Sequence, residues 1–113
     1  MRPINKIIIQ QVEVKDTEAL IAEHINKREM PEVGFHYLIE SGGSIKTGRS
    51  TTTIGNHFVG ENSNSIGIAL IGKELTLKQQ AAIELVREEL KLKAPEIKDV
   101  FIVEDKELKN YQL

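Results

Sequence analysis

Apolar runs alternate with polar, turn-forming segments along this chain, and each run suggests one element. Ile4 to Val14 is rich in β-branched residues and predicts a strand. Its apolar part ends abruptly at two amides, Gln10 and Gln11. Amides inside a core are costly unless they find hydrogen-bond partners, so this strand end needs an explanation. Asp16 then has the character of a helix N-cap, with Glu18 well placed in the first turn. Ala19, Leu20, Ala22 and Ile25 fall on or near one face of the predicted helix, which Met30-Pro31 should end.

Gly34 to Glu40 predicts a second strand and Ser44 to Thr47 a third, joined by the turn residues Ser41-Gly42-Gly43 into a β-hairpin. Gly48 to Ser65 is a long polar stretch with glycines at 48, 55 and 60, and loops of that length are usually functional or disordered. Ile66 to Ile71 is almost continuously apolar, the pattern of a central strand buried on both faces. Thr76-Leu-Lys-Gln79 has the form of a capping box and opens a helix running to about Lys93. Ala82, Leu85, Val86, Glu89 and Leu90 repeat there at helical spacing, and Pro95 marks the end. Val100 to Val103 is a last short strand, followed by a polar tail from Glu104 to Leu113. The order is β-α-β-β-loop-β-α-β, an α/β fold with one mixed central sheet flanked by helices.

With 113 residues the chain is sized for a single domain, residues 1–113. A domain of this size buries roughly two-thirds of its unfolded surface and needs no staple to hold it together. There are no cysteines, which excludes disulfides and thiolate zinc sites. Fifteen basic and 17 acidic residues give a net charge of −2 with no basic stripe, which argues against nucleic-acid binding. No apolar run approaches the roughly 20 residues of a membrane span, and the N-terminus lacks a signal-peptide core. The expectation is therefore a soluble, cytoplasmic protein with neither a membrane nor a nucleic-acid partner.

Three histidines are available. His24 in the first helix reads as a structural, partly exposed residue, and His36 on the second strand as a core histidine. His57, set among glycines and asparagines in the long loop, is the better site candidate.

Gly34-Phe-His-Tyr, then Gly43 to Arg49, then Gly55-Asn-His57 with Gly60 and Asn62, then Ser65-Ile-Gly67 to Gly72 form an ordered run. In order and spacing the run resembles the zinc-dependent N-acetylmuramoyl-L-alanine amidases of the type-2 family. That family includes phage amidase lysozymes and animal peptidoglycan recognition proteins. The resemblance implies the amidase fold, with the histidine and asparagine of the long loop bordering a cleft for the muramyl-peptide stem. It also implies zinc, held by a histidine at the end of the first strand and by a histidine plus a cysteine or aspartate near the C-terminus. Such a metal polarises the amide carbonyl and activates water. A tyrosine in the Gly-Tyr-His word helps stabilise the oxyanion.

This sequence departs from each chemical part of that pattern. The first-strand ligand position falls on Gln10, or on Gln11 if the register slips by one. The tyrosine position is Phe35, which has no hydroxyl. After the last strand stands Glu104-Asp-Lys-Glu-Leu-Lys, without histidine or cysteine, and the family's closing helix is not expected to follow. Glu104 and Asp105 approaching Gln10, with His57 as a nitrogen ligand, would make an oxygen-rich set suited to a harder cation, and no spacing supports it.

The resemblance, taken with these departures, points to a binding protein that has lost its zinc cofactor and its catalytic residues. Gln10, Phe35, Arg49, His57 and Asn62 are the expected ligand-binding residues, for a muropeptide-like or other small molecule. Polarity at Gln10 is then explained by a strand end that faces the cleft, its water or its ligand. Arg49 and Asn62 also suit a purely structural role, satisfying backbone groups of the loop. Two alternatives stand beside this expectation: a regulator that binds a protein partner on the same scaffold, and an active amidase.

Overall fold

The computed structural model describes residues 3–104 apart from Arg28, Met30, Val59 and Lys98, and describes the last strand by its backbone. The tail beyond Glu104, where the C-terminal ligand word was expected, lies outside the described residues.

The five strands are β1 (Lys6–Val12), β2 (Tyr37–Ile39), β3 (Ile45–Thr47), β4 (Ser65–Ile71) and β5 (Asp99–Glu104). They form one sheet in the order β3-β2-β4-β1-β5. β4 pairs in parallel with both β2 and β1, and β1 in parallel with β5. Only β3 runs antiparallel, as the partner of β2 in the hairpin. The sheet is mixed and α/β, as the pattern predicts.

The two middle strands explain the continuous apolar runs. Every residue of β4 is buried, and so are Ile7 to Val12 of β1. Successive side chains point to opposite faces. Ile7, Ile9, Ile66, Ile68 and Leu70 join one core cluster with Ala82, Ile83, Val86 and Leu90 of α2 (Leu77–Lys93). Val12, Ala69 and Ile71 join the other, with Leu20 of α1 (Thr17–Ala22) and with Val33, Phe35 and Leu38. A strand between two covered faces has no polar side, hence no alternation.

The helices depart from expectation in two places. Asp16 caps α1, its carboxylate accepting the Ala19 N–H at 2.8 Å. The α-helix is short, however, and widens into a π turn at Glu23–Lys27. The wider turn carries His24 into the core, fully buried instead of partly exposed, and leaves Ile25 41% exposed. In α2, Leu85 is 64% exposed although its spacing suggested the buried face; that face is Gln79, Ala82, Ile83, Val86 and Leu90.

The capping box at the start of α2 reaches beyond its helix. The Thr76 hydroxyl accepts the Gln79 N–H at 3.1 Å, and the Gln79 amide oxygen accepts the Thr76 N–H at 3.1 Å. The amide nitrogen of Gln79, fully buried, donates to the carbonyls of Ile39 and Ile71 at 3.0 Å each. One side chain thus ties the helix start to the ends of β2 and β4. Thr76→Ala is expected to cost about 1 kcal/mol. Gln79→Leu, which strands two buried carbonyls and one N–H, should cost about 2 kcal/mol or more. Urea denaturation of both variants checks the order.

Candidate functional site

The two glutamines at the end of β1 point to opposite faces of the sheet and are both satisfied from within the chain. Gln11 donates to the carbonyls of Gly72 at 2.7 Å and Leu70 at 3.3 Å, closing the end of β4. Gln10 turns to the long loop. Its amide nitrogen donates to the backbone carbonyl of His57 at 2.9 Å, and its amide oxygen lies 3.2 Å from His57 Nδ1. Neither Gln10 nor His57 has any exposed surface. The polarity at this strand end is therefore met by protein, across 47 residues of sequence.

The sequence makes room for the His57 ring with glycine. A Cβ built on Gly67, in the middle of β4, would lie 2.3 Å from Cδ2 of that ring, and one built on Gly55 would lie 2.6 Å from the same atom. Glycine inside an apolar strand is the usual mark of such a close approach. Phe35 stacks on the ring with centroids 5.7 Å apart, and His24 stacks on Phe35, also at 5.7 Å. His36 meets His57 edge-on at 6.0 Å. The result is a buried column, His24-Phe35-His57, standing against β4.

Backbone contacts hold the histidines in place. His24 Nδ1 accepts the Gly34 N–H at 2.9 Å, and His36 Nδ1 accepts the Gly67 N–H at 3.0 Å. His36 Nε2 lies 2.7 Å from the Thr53 carbonyl, which accepts its proton. Asn62 fixes the loop turn: its side-chain oxygen accepts the N–H groups of both His57 and Phe58 at 3.0 Å each. Lys6 pairs with Glu61, which anchors the same turn to the start of β1. Arg49 is engaged at the loop's other end. It donates to the carbonyls of Val33 at 2.9 Å, Ile54 at 3.0 Å and Glu32 at 3.4 Å.

Of the five expected site residues, Gln10, Phe35, His57 and Asn62 come together, while Arg49 supports them through its N–H on the Phe35 carbonyl at 2.8 Å. Sequence reasoning passed over His24, Ser65 and Gly67 as members of this cluster. Gly67 gave a signal, a glycine interrupting an apolar strand. His24 gave none, because a regular helix places it elsewhere.

Ser65, His57 and Gln10 follow one another in the order of a nucleophile, a base and an orienting group. The chemistry does not follow. The Ser65 hydroxyl donates to the Glu61 carbonyl at 2.6 Å, lies 3.4 Å from His57 Nε2 and is fully buried. A substrate has no approach to it.

Zinc fits no better at the end of β1. Gln10 presents a neutral amide whose oxygen faces the imidazole and whose nitrogen faces a carbonyl, so its lone pairs and its donor are already directed at His57. Among the described residues no three His, Cys, Asp or Glu side chains gather where a metal could sit. Beside the loop lies a cavity of about 260 Å³ lined by Ile54, Gly60, Asn62 and Ser63. Among the described residues no helix is long and apolar enough to cross a membrane.

Comparison with known proteins gives the family and the fold. Residues 1–100 match the profile of a family described as N-acetylmuramoyl-L-alanine amidase. The endolysin of Escherichia phage T7 is 42% identical over 41 residues, 36% of this chain and 27% of the endolysin. The chain thus spans little more than a quarter of that relative. Among solved structures, the N-acetylmuramoyl-L-alanine amidase LysC from Clostridium intestinale is similar with a TM-score of 0.79 and 26% identity, over 89% of this chain and 70% of LysC. A mutant of Drosophila PGRP-LB, solved in complex with tracheal cytotoxin, shares the fold with a TM-score of 0.77 and 24% identity, over 89% of this chain and 70% of that one.

A methyl group on Gly67 would displace the His57 ring and with it the Gln10 contact. Gly67→Ala is expected to cost about 1–3 kcal/mol, the range for overpacking a close-fitted core. Chemical denaturation measures it, and upfield ring-current shifts around Phe35 should change in the same variant.

Proposed function

We propose, from the premise that this chain belongs to the N-acetylmuramoyl-L-alanine amidase family, that it binds a peptidoglycan-derived ligand without hydrolysing it. The observation that carries this reading is Gln10. It stands where the family resemblance calls for a metal ligand, and its amide is engaged twice by His57, at 2.9 and 3.2 Å. A hydrolytic zinc needs three electron-pair donors and an open fourth position. A buried amide hydrogen-bonded to protein supplies neither the ligand nor the opening. Phe35 adds to this. Its ring fills the column between two histidines, and it brings no hydroxyl to stabilise an oxyanion.

The parts that shape a binding surface are kept. Gln10, Phe35 and His57 are fully buried and hold the long loop from beneath, Asn62 closes its turn, and the cavity of about 260 Å³ lined by Ile54, Gly60, Asn62 and Ser63 is the seat for part of the ligand. A preorganised floor lowers the ordering cost of binding. The complex of PGRP-LB with tracheal cytotoxin supports the ligand class, as a property of a relative with this fold.

Titration calorimetry with a soluble disaccharide-tripeptide muropeptide tests the proposal, together with metal analysis and chromatography of the recovered ligand. Saturable binding, no stoichiometric zinc and an intact muropeptide are expected. Ser63→Trp, which fills the cavity from an exposed position, should weaken binding about tenfold or more. Stoichiometric zinc with cleavage that a chelator abolishes would overturn the reading, and so would an absence of binding at millimolar ligand.

A further inference from the structure

We infer that Gln10 is a positioning residue: its amide latches β1 to the long loop and fixes His57 as one tautomer, so the loop keeps its shape with no metal ion. The inference rests on the reading that this site works without zinc, and it concerns how the site is held, not what it binds.

One group in this contact can act in only one way. The His57 backbone carbonyl is an acceptor, so the Gln10 atom 2.9 Å from it is the amide nitrogen. The amide oxygen then faces His57 Nδ1 at 3.2 Å and can only accept. Nδ1 therefore carries a proton. The carbonyl sets the amide, and the amide sets the imidazole. One side chain thereby grips both the backbone and the ring of a residue 47 positions away.

The surroundings hold the ring in that place, and the Ser65 oxygen facing Nε2, at 3.4 Å, is a longer contact than the one at Nδ1. Gly67 leaves just enough room on one side, and Phe35 stacks on it at 5.7 Å. A half-turn of the ring would set a carbon against the amide oxygen and lose the contact. Two backbone N–H groups of the same turn, those of His57 and Phe58, close on Asn62 at 3.0 Å. Releasing the latch should therefore free that turn first.

The test needs no ligand, so its failure is distinct from a failure to bind muropeptide. Long-range nitrogen–proton NMR on the wild-type protein should show His57 protonated at Nδ1. Amide hydrogen exchange at His57 and Phe58 should be unchanged by a chelator or by added zinc. In Gln10→Ala the same two amides should exchange about tenfold faster or more, with the amides of α2 unaffected. Gln10→Glu keeps the acceptor and removes the donor to the carbonyl. It should retain the Nδ1 proton while exchange accelerates, a split that loss of packing alone would not produce. An Nε2-protonated His57 in the wild type would overturn the inference. Chelator-dependent loosening of the wild-type loop, or unchanged exchange in Gln10→Ala, would do the same.

Discussion

The contact between Gln10 and His57 is the constraint on which the rest of the site depends. It joins the end of a central strand to a long, polar loop that Asn62, Arg49 and the Lys6–Glu61 pair also tie down. Hydrogen bonds of this kind are worth little in water-exposed positions, because water competes for both partners. Both partners here are buried, so leaving either one unmade would cost more than making it gains. That asymmetry, more than the strength of the bonds, is what holds the loop to the strand. The glycines at 55 and 67 and the asparagine at 62 are arranged around it: two make space for the ring, and one closes the turn that carries it.

The same contact separates fold from chemistry. The long loop folds over this face of β1 and β4, so the side chains there meet the loop. What happens there depends on a few donors. A glutamine that gives and accepts hydrogen bonds can organise the floor beneath the loop, and a metal ligand at the same point can organise it and do chemistry besides. The buried column His24-Phe35-His57 extends that floor through ring packing, with no charge required. A floor made this way is held by hydrogen bonds and ring packing among the described residues.

Much of the architecture was legible in the sequence. The continuous apolar run Ile66 to Ile71 announced a strand covered on both faces, and Thr76 with Gln79 announced the helix start, because both signals are local. The hairpin was legible for the same reason. The π turn at Glu23–Lys27 was not, since helical periodicity presumes a regular helix, and with it the burial of His24 went unseen. The partner of Gln10 was not legible either. The amides were expected to meet water or a ligand at a strand end, and the groups they do meet lie 47 and more residues away. A strand reveals its own periodicity but not which loop folds back upon it. Gly67 was the overlooked clue.

The most direct test of the central claim is one comparison: the affinity for a soluble muropeptide measured on chelator-treated protein and on protein supplied with zinc. The same affinity is expected in both, with the ligand recovered whole. Binding or cleavage that appears only when zinc is restored would contradict it.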